Sequence, residues 1–150
     1  MAQIITYDDN LHRDAVIALW RDVFAYPTAH NRPELALERK LAVDDLLFVA
    51  VQDGQVVGTT MAGYDGHRGW LYSVAVHPAW QQHGIGAALV RHAETALAAL
   101  GCLKINLQIT AGNDVVAGFY ERLGYVVEPR ISMGKVLPLE AGLAPAGENA

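Results

Sequence analysis

The stretch VAVHPAWQQHGIGAALVRHAE, Val74 to Glu94, decides the fold of this chain. An apolar run typical of a buried strand ends at His77-Pro78, and an amphipathic helical pattern begins directly at Gly84-Ile85-Gly86. Glycine is a poor helix former, so two glycines at a helix start need another explanation. A helix N-terminus offers unpaired N–H groups with partial positive charge, and glycine allows close approach to the backbone. Together they predict an anion site, most naturally for phosphate.

Two common phosphate loops do not fit this stretch. The Walker pattern, GxxxxGK followed by Ser or Thr, has no match in the chain. The dinucleotide pattern G-x-G-x-x-G/A fails at Leu89, and it lacks the acidic residue expected about twenty residues later, near Asn106. The segment Gln81 to Gly86 instead matches the pattern Q/R-x-x-G-x-G/A.

The flanking sequence predicts a crossover unit. A strand over Trp70 to Val76 is followed by a helix that ends at Gly101 and by a second strand over Leu103 to Ile109. A strand, helix, strand sequence of this kind places its two strands parallel in one sheet. The residues that follow the helical spacing i, i+3, i+4, i+7 are Ile85, Ala88, Leu89, His92, Ala93, Ala96, Leu97 and Leu100.

Upstream, the sequence predicts a strand, two helices and a meander. The strand covers Gln3 to Thr6, and a helix capped by Asp8 or Asp9 runs to about Phe24. Its expected buried residues are Val16, Leu19, Trp20 and Val23. A loop over Tyr26 to Arg32 precedes a helix that begins at Pro33 and carries Leu37 and Leu41. An antiparallel meander follows, with turns at Asp53-Gly54 and at residues 65–69. Its predicted strands cover Leu46 to Val51, Gln55 to Tyr64 and Trp70 to Val76.

Downstream, Asn113 or Asp114 caps a helix that reaches Leu123 and stops at Gly124. Tyr125 to Val127 and Arg130 to Leu137 predict short closing strands. Residues 138–150 lack periodicity and predict a disordered tail after a single domain over residues 1–137.

Composition narrows the function classes. The 150 residues suit one domain with a sizeable core. Sixteen acidic residues against 11 Lys plus Arg give a net charge of -5, which disfavours a nucleic-acid groove. Cys102 is the single cysteine, so no disulfide forms within the chain, and the six histidines lack short metal-ligand spacings. No signal peptide and no membrane span are expected, which favours a cytoplasmic protein.

Two segments in this order carry a family resemblance. The Gln81 to Gly86 loop resembles the acetyl-CoA pyrophosphate loop of the GNAT N-acetyltransferase superfamily, and Asn113 with FYERLGY, Phe119 to Tyr125, resembles its second signature. Over residues 2–137 the chain is similar to small single-domain bacterial members near the ribosomal-protein alanine acetyltransferases, through Glu38 to Lys40 and Gly63 to Gly69. The resemblance implies an α/β fold with a mixed, mostly antiparallel sheet, a parallel central strand pair and flanking helices. A homodimer is plausible.

The resemblance also implies how acetyl-CoA binds. Backbone amides around His83 to Ala87 hold the pyrophosphate, and a bulged strand at Val74 to Val76 pairs with the pantetheine arm and polarises the thioester carbonyl. Asn113 hydrogen-bonds the cofactor, although simple helix capping explains this residue too. The implied acetyl-CoA residues are Val74, Ala75, Val76, Gln81, Gln82, His83, Gly84, Ile85, Gly86, Ala87, Asn113 and Tyr120.

The implied reaction is direct acetyl transfer to a primary amine of a small molecule, a peptide or a protein N-terminus. Tyr120 is the candidate general acid for the leaving thiolate. The segment Leu71 to Ser73 has no carboxylate to serve as general base, which leaves Asp65, His67 and Tyr72. Each of the three also has a strong structural explanation: Asp65 in a turn, His67 in an exposed loop and Tyr72 in a strand. The acceptor is expected between the N-terminal helices and the turn at residues 65–69. The alternative function is a non-catalytic acyl-CoA sensor or interaction module of the same fold.

Overall fold

A computed structural model describes residues 1–24 and 29–138 of the chain. Five strands lie within these ranges: β1 (Gln3–Thr6), β2 (Leu47–Gln52), β3 (Gln55–Tyr64), β4 (Gly69–Val76) and β5 (Ile105–Asn106). Four α-helices accompany them: α1 (Asp9–Val23), α2 (Pro33–Val43), α3 (Ile85–Ala99) and α4 (Asp114–Arg122). Short 3-10 turns cover Ala29–Asn31 and Pro78–Trp80.

The strands form one sheet in the order β1-β2-β3-β4-β5. All neighbours are antiparallel except β4 and β5, which are parallel and joined through α3. The hairpin between β2 and β3 has positive φ at both Asp53 (52°) and Gly54 (75°), as a type I′ turn requires. The predicted meander and crossover unit are therefore confirmed.

The helices cover both faces of the sheet. Adjacent strand residues point to opposite faces, so Leu47 and Phe48 belong to different layers. On one face, α1 and α2 pack in a cluster of Tyr7, Val16, Leu19, Trp20, Leu37, Leu47, Val49 and Ala75. On the other face, α3 contributes to a cluster of Leu46, Phe48, Ala62, Leu71, Val90, Ala93, Leu97 and Tyr120.

The helix boundaries follow local chemistry. The Asp8 carboxylate accepts the N–H groups of Asn10 (2.9 Å) and Leu11 (3.2 Å), and Pro33 begins α2. Two apolar residues of the predicted helical patterns, Leu41 and Leu100, are exposed. Leu41 lies in the last turn of α2, and Leu100 is the C-cap of α3.

Three predicted strands differ in the structure. β5 has two residues instead of the predicted Leu103 to Ile109, and no strand forms over Tyr125 to Val127 or Arg130 to Leu137 in the described chain. A strand needs a partner for its backbone groups, and apolar alternation alone does not supply one. Leu103 (95% exposed) and Ile131 (92% exposed) accordingly lie on the surface.

Two other predictions fall partly on residues outside the described ranges. The predicted tail lies outside them except for Pro138, and so do residues 26–28 of the predicted loop. No helix within the described ranges is long and apolar enough to cross a membrane.

Candidate active site

The start of α3 presents free backbone donors at the surface. Gly84 is its N-cap, with φ 79° and ψ 5°. The first bond of the helix runs from the Ala88 N–H to the Gly84 carbonyl at 3.1 Å. The N–H groups of Ile85, Gly86 and Ala87 precede that bond and so have no partner inside the helix. This arrangement suits an anion, because the helix dipole adds partial positive charge at the same place.

The two glycines serve different purposes. Gly84 adopts a left-handed conformation, and a Cβ added there would meet nothing within 4 Å. Gly86 has an ordinary helical backbone, but its added Cβ would lie 3.2 and 3.3 Å from ring carbons of Phe119 on α4. Gly84 therefore shapes the turn and leaves open space outside it, whereas Gly86 permits close packing of α4 on α3.

Side chains tie the loop before α3 to the end of β4. His77 Nδ1 accepts the Ala79 N–H at 3.1 Å, and the His77 N–H donates to the Val57 carbonyl at 2.8 Å. Gln81 Nε2 donates to the Val76 carbonyl at 3.2 Å. The exposed Gln81 side chain thus fixes the loop to the strand that precedes it.

β4 contains a bulge directly beside its centre. Met61 pairs with Tyr72 and Thr59 pairs with Ala75, so Ser73 and Val74 together stand opposite one residue of β3. Ser73 has φ 49°, a left-handed conformation unusual for a residue with a side chain. An extra residue of this kind bends the strand and leaves backbone groups unpaired.

β4 also separates from its parallel neighbour. The pairing with β5 involves only Gly69 with Ile105 and Trp70 with Asn106. From Leu71 to Val76, β4 has no strand partner on that side in the described structure. The bulged, open part of β4 leads directly into the loop that precedes α3.

Tyr120 lies under α3 with its phenol ring enclosed. It is 8% exposed and makes edge-to-face contacts with Phe119 (4.9 Å between centroids) and Tyr125 (5.6 Å). Its hydroxyl has no hydrogen-bond partner among the described residues. Burial raises the pKa of Tyr120 to about 12, so the hydroxyl carries its proton at neutral pH.

The residues after Tyr120 hold α4 against α3. Gly124 has φ 96°, and the Tyr125 N–H closes the helix end on the Tyr120 carbonyl at 3.0 Å. The Tyr125 hydroxyl then donates to Glu94 of α3 at 2.7 Å. At the other end of α4, Asn113 Oδ1 accepts the Val116 N–H at 3.3 Å, as a helix cap.

A groove of about 510 Å³ opens between α2 and the β3–β4 turn. Trp70 and Tyr72 stack along it with centroids 6.4 Å apart and ring planes at 18°. Tyr72 directly precedes the bulge residue Ser73. The groove is lined by Ala36, Arg39, Lys40, Val43, Asp44, Met61, Gly63, Tyr64, Asp65, Trp70 and Tyr72.

The three candidate bases differ in placement. Asp65 and Tyr72 line the groove, whereas His67 is exposed and does not. The Arg68 and His67 N–H groups, 2.8 and 2.7 Å from Asp65 Oδ1, hold the pKa of that carboxyl below its usual value. Burial, and then the charge of Asp65, raises the pKa of Tyr72. The two groove residues are therefore a weak carboxylate base and a protonated phenol at neutral pH.

The groove also contains polar residues to which the sequence assigned no role in the site. Lys40 Nζ lies 2.7 Å from Asp44 Oδ1 and also donates to the Ala62 carbonyl. Arg39 is exposed on the same wall. The register of α2 could have indicated them, because Ala36, Arg39, Lys40 and Val43 recur at helical spacing.

Within the described ranges, no group of three or more His, Cys, Asp or Glu residues is arranged to hold a metal ion.

Comparison with known proteins agrees with this architecture. The sequence pattern of the Acetyltransferase (GNAT) family matches residues 13–125. An acetyltransferase of Pectobacterium atrosepticum is 46% identical over 126 residues, which cover 83% of this chain and 88% of that protein.

Two solved structures show the same fold at low sequence identity. The ribosomal-protein-S18-alanine N-acetyltransferase of Escherichia coli aligns with a TM-score of 0.72 and 23% identity, covering 83% of this chain and 77% of that chain. An aminoglycoside N-acetyltransferase in complex with CoA aligns with a TM-score of 0.74 and 18% identity, covering 91% and 95%. With the family pattern and the curated relative, these findings identify the chain as a member of the GNAT acetyltransferase family and as an acyltransferase.

Proposed function

We propose that the protein transfers the acetyl group of acetyl-CoA directly to a primary amine of a small molecule, a peptide or a protein N-terminus. One observation carries this proposal. The bulged, unpaired part of β4 and the free N-terminus of α3 lie on either side of one short loop, which Gln81 fixes to Val76. A cosubstrate with a polar amide arm and a pyrophosphate needs both surfaces at once.

The residues of the loop fit acetyl-CoA. The amides of Ile85, Gly86 and Ala87 can donate to a pyrophosphate, and the open space beside Gly84 leaves room for it. Gln82 and His83 stand exposed in the same loop. The backbone of Val74 to Val76 can pair with the pantetheine arm on the side that β5 leaves open. Asn113 is occupied by capping α4, which supports a structural role for this residue.

Acetyl-CoA supplies an acyl group on a good leaving thiolate. As the amine nitrogen forms its bond to the carbonyl carbon, the carbon–sulfur bond breaks and the thiolate must gain a proton. Tyr120 is the proposed donor, because its raised pKa keeps it protonated and its hydroxyl is not engaged by a described residue. Donors on the bulged backbone would stabilise the charge that develops on the carbonyl oxygen.

The acceptor is proposed to bind in the groove between α2 and the β3–β4 turn. Tyr72 brings the groove to within one residue of the bulge, and the Trp70–Tyr72 stack offers an aromatic wall for an amine-bearing group. Asp65 supplies a negative charge that favours an ammonium group. The pKa of Asp65 is lowered and that of Tyr72 is raised, so neither residue suits the role of general base near neutral pH. We therefore propose that the amine loses its proton to water held in the groove.

The sensor that the sequence left as an alternative is disfavoured, because the chain belongs to a family of acetyltransferases. A cytoplasmic location and a homodimer stay predictions.

Calorimetric titration with acetyl-CoA tests the proposed cosubstrate site. We expect saturable binding to the wild type and its loss in Gly84→Trp, whose side chain would fill the space outside the loop. Gly54→Trp is the matched control, since Gly54 also has a positive φ (75°) and open surroundings but lies in the β2–β3 hairpin. Equal binding of acetyl-CoA by the wild type, Gly84→Trp and Gly54→Trp would contradict the proposed site at the start of α3. A screen of amine acceptors with the wild type tests acetyl transfer itself.

A further inference from the structure

A line of buried hydrogen bonds connects α1 to the β4 bulge. The Trp20 indole N–H donates to Thr59 Oγ1 at 2.8 Å, and the Thr59 hydroxyl donates to the Ser73 carbonyl at 2.9 Å. Trp20 is 1% exposed and Thr59 is fully buried. The one hydroxyl of Thr59 therefore accepts from the helix and donates to the bulge at the same time.

The hydrogen bonds end at Ser73, a bulge residue with a strained backbone conformation. Ser73 has φ 49°, a conformation that is costly for any residue with a side chain. Such a conformation persists only where surrounding contacts hold it. Thr59 is well placed to do so, because it also pairs with Ala75 on the far side of the bulge.

We propose that Trp20 and Thr59 are positioning residues that hold the β4 bulge in the shape required for acetyl transfer. The proposal rests on the function proposed above, in which backbone donors at the bulge stabilise the carbonyl oxygen. Loss of the Thr59 hydroxyl frees the Ser73 carbonyl, and the donors beside it lose their fixed direction. Fixed direction matters because such donors act only when they already point at the developing charge.

The next residue provides a matched control. Thr60 is also fully buried, but its hydroxyl oxygen has no hydrogen-bond partner among the described residues. Its side chain points to the opposite face of the sheet from that of Thr59. Thr60 is the β3 residue that stands opposite the bulge, so Thr60→Val removes the same atom at the same level of the strand without removing a hydrogen bond to the bulge.

The experiment compares Thr59→Val, Thr59→Ser and Thr60→Val with the wild type. Amide hydrogen exchange of the free protein measures how firmly Ser73, Val74 and Ala75 are held. In Thr59→Val we expect exchange there to rise about tenfold and kcat to fall about tenfold. The Kd for CoA, which has the pantetheine arm but no acetyl carbonyl, is expected to rise by less than kcat falls. Thr59→Ser keeps the hydroxyl and Thr60→Val keeps the bulge, so both are expected to stay close to the wild type.

Trp20→Phe gives a second route if Thr59→Val folds poorly. It removes the indole donor but leaves the Thr59 bond to Ser73, so we expect exchange and kcat to change in the same direction by less. The positioning role alone would be overturned by either of two results. Exchange and kcat could be unchanged in folded Thr59→Val, or they could change by the same amount in Thr60→Val. A wild-type protein that binds no acetyl-CoA would instead overturn the proposed function.

Discussion

Phe119 of α4 packs directly on Gly86 of α3, and a Cβ at residue 86 would fit only if the Phe119 ring shifted by a few tenths of an ångström. The ring carbons stand 3.2 and 3.3 Å from the position a Cβ would occupy. The second glycine of the loop thus lets α4 pack closely on α3, beside the neighbouring Tyr120.

We expect Gly86→Ala to destabilise the protein by up to about 2 kcal/mol. Overpacking a tight contact costs about 1–3 kcal/mol, and the roughly 1 kcal/mol that alanine gains over glycine in a helix offsets part of that cost. Denaturant unfolding measures the change. In a Phe119→Leu background the clash is relieved, so the same Gly86→Ala change is expected to become neutral or stabilising. A destabilisation of equal size in both backgrounds would show that Phe119 is not the cause.

Tyr120→Phe is expected to lower kcat about 100-fold or more, because a general acid contributes about 10²–10⁴. Stability should change little, since the ring contacts remain and the hydroxyl has no described partner. Steady-state kinetics and calorimetric binding of CoA separate these effects. Unchanged kcat with intact CoA binding would remove Tyr120 from the mechanism.

Alkaline pH should destabilise the fold through buried tyrosines. The pKa of Tyr120 rises from 10.0 to about 12 on folding, so the folded state retains a proton that the unfolded chain releases. Its stabilisation is complete below pH 10 and is lost as the pH rises through about 12. Burial also raises the pKa of Tyr7 and of Tyr125, which adds to the slope. Urea midpoints on both sides of pH 10 measure it, and Tyr120→Phe is expected to have a shallower slope.

Two substitutions of Asp65 distinguish a role for its negative charge in acceptor binding from a role for its hydrogen bonds in the turn. Asparagine keeps an oxygen for the Arg68 and His67 N–H groups, whereas alanine removes it. If the charge attracts the ammonium of the acceptor, the KM for the acceptor is expected to rise severalfold in both variants. If only the turn matters, Asp65→Asn will match the wild type. The low pKa of Asp65 predicts that neither variant shifts a rate-limiting ionisation near neutral pH.

Features set by a few neighbouring residues could be predicted from the sequence. Asp8 caps α1, Pro33 begins α2 and Asp53-Gly54 forms the hairpin, because each depends on bonds within one turn of chain. The crossover unit was predictable for a related reason, since a buried strand, an amphipathic helix and another strand can join one sheet in few ways.

Features that depend on distant partners could not be predicted in this way. Leu103 and Ile131 have suitable residue types for strands, but nothing local shows that they will lack a sheet partner. The bond from Trp20 to Thr59 spans 39 positions, and threonine in a strand is unremarkable by itself. The separate reasons for Gly84 and Gly86 likewise became visible only with Phe119 in place.

The order of the strands also bears on how the chain folds. β2, β3 and β4 are consecutive and joined by turns, so their pairing closes short loops, whereas β5 can join β4 only after α3 has crossed the sheet. We expect the meander to gain protection first during refolding. The β1–β2 pairing and the two-residue β4–β5 ladder close longer connections and are expected later. At equilibrium, that short ladder should also be the first part of the sheet to open. The ladder that closes one end of the opening proposed for acetyl-CoA would then be both late to assemble and easy to loosen.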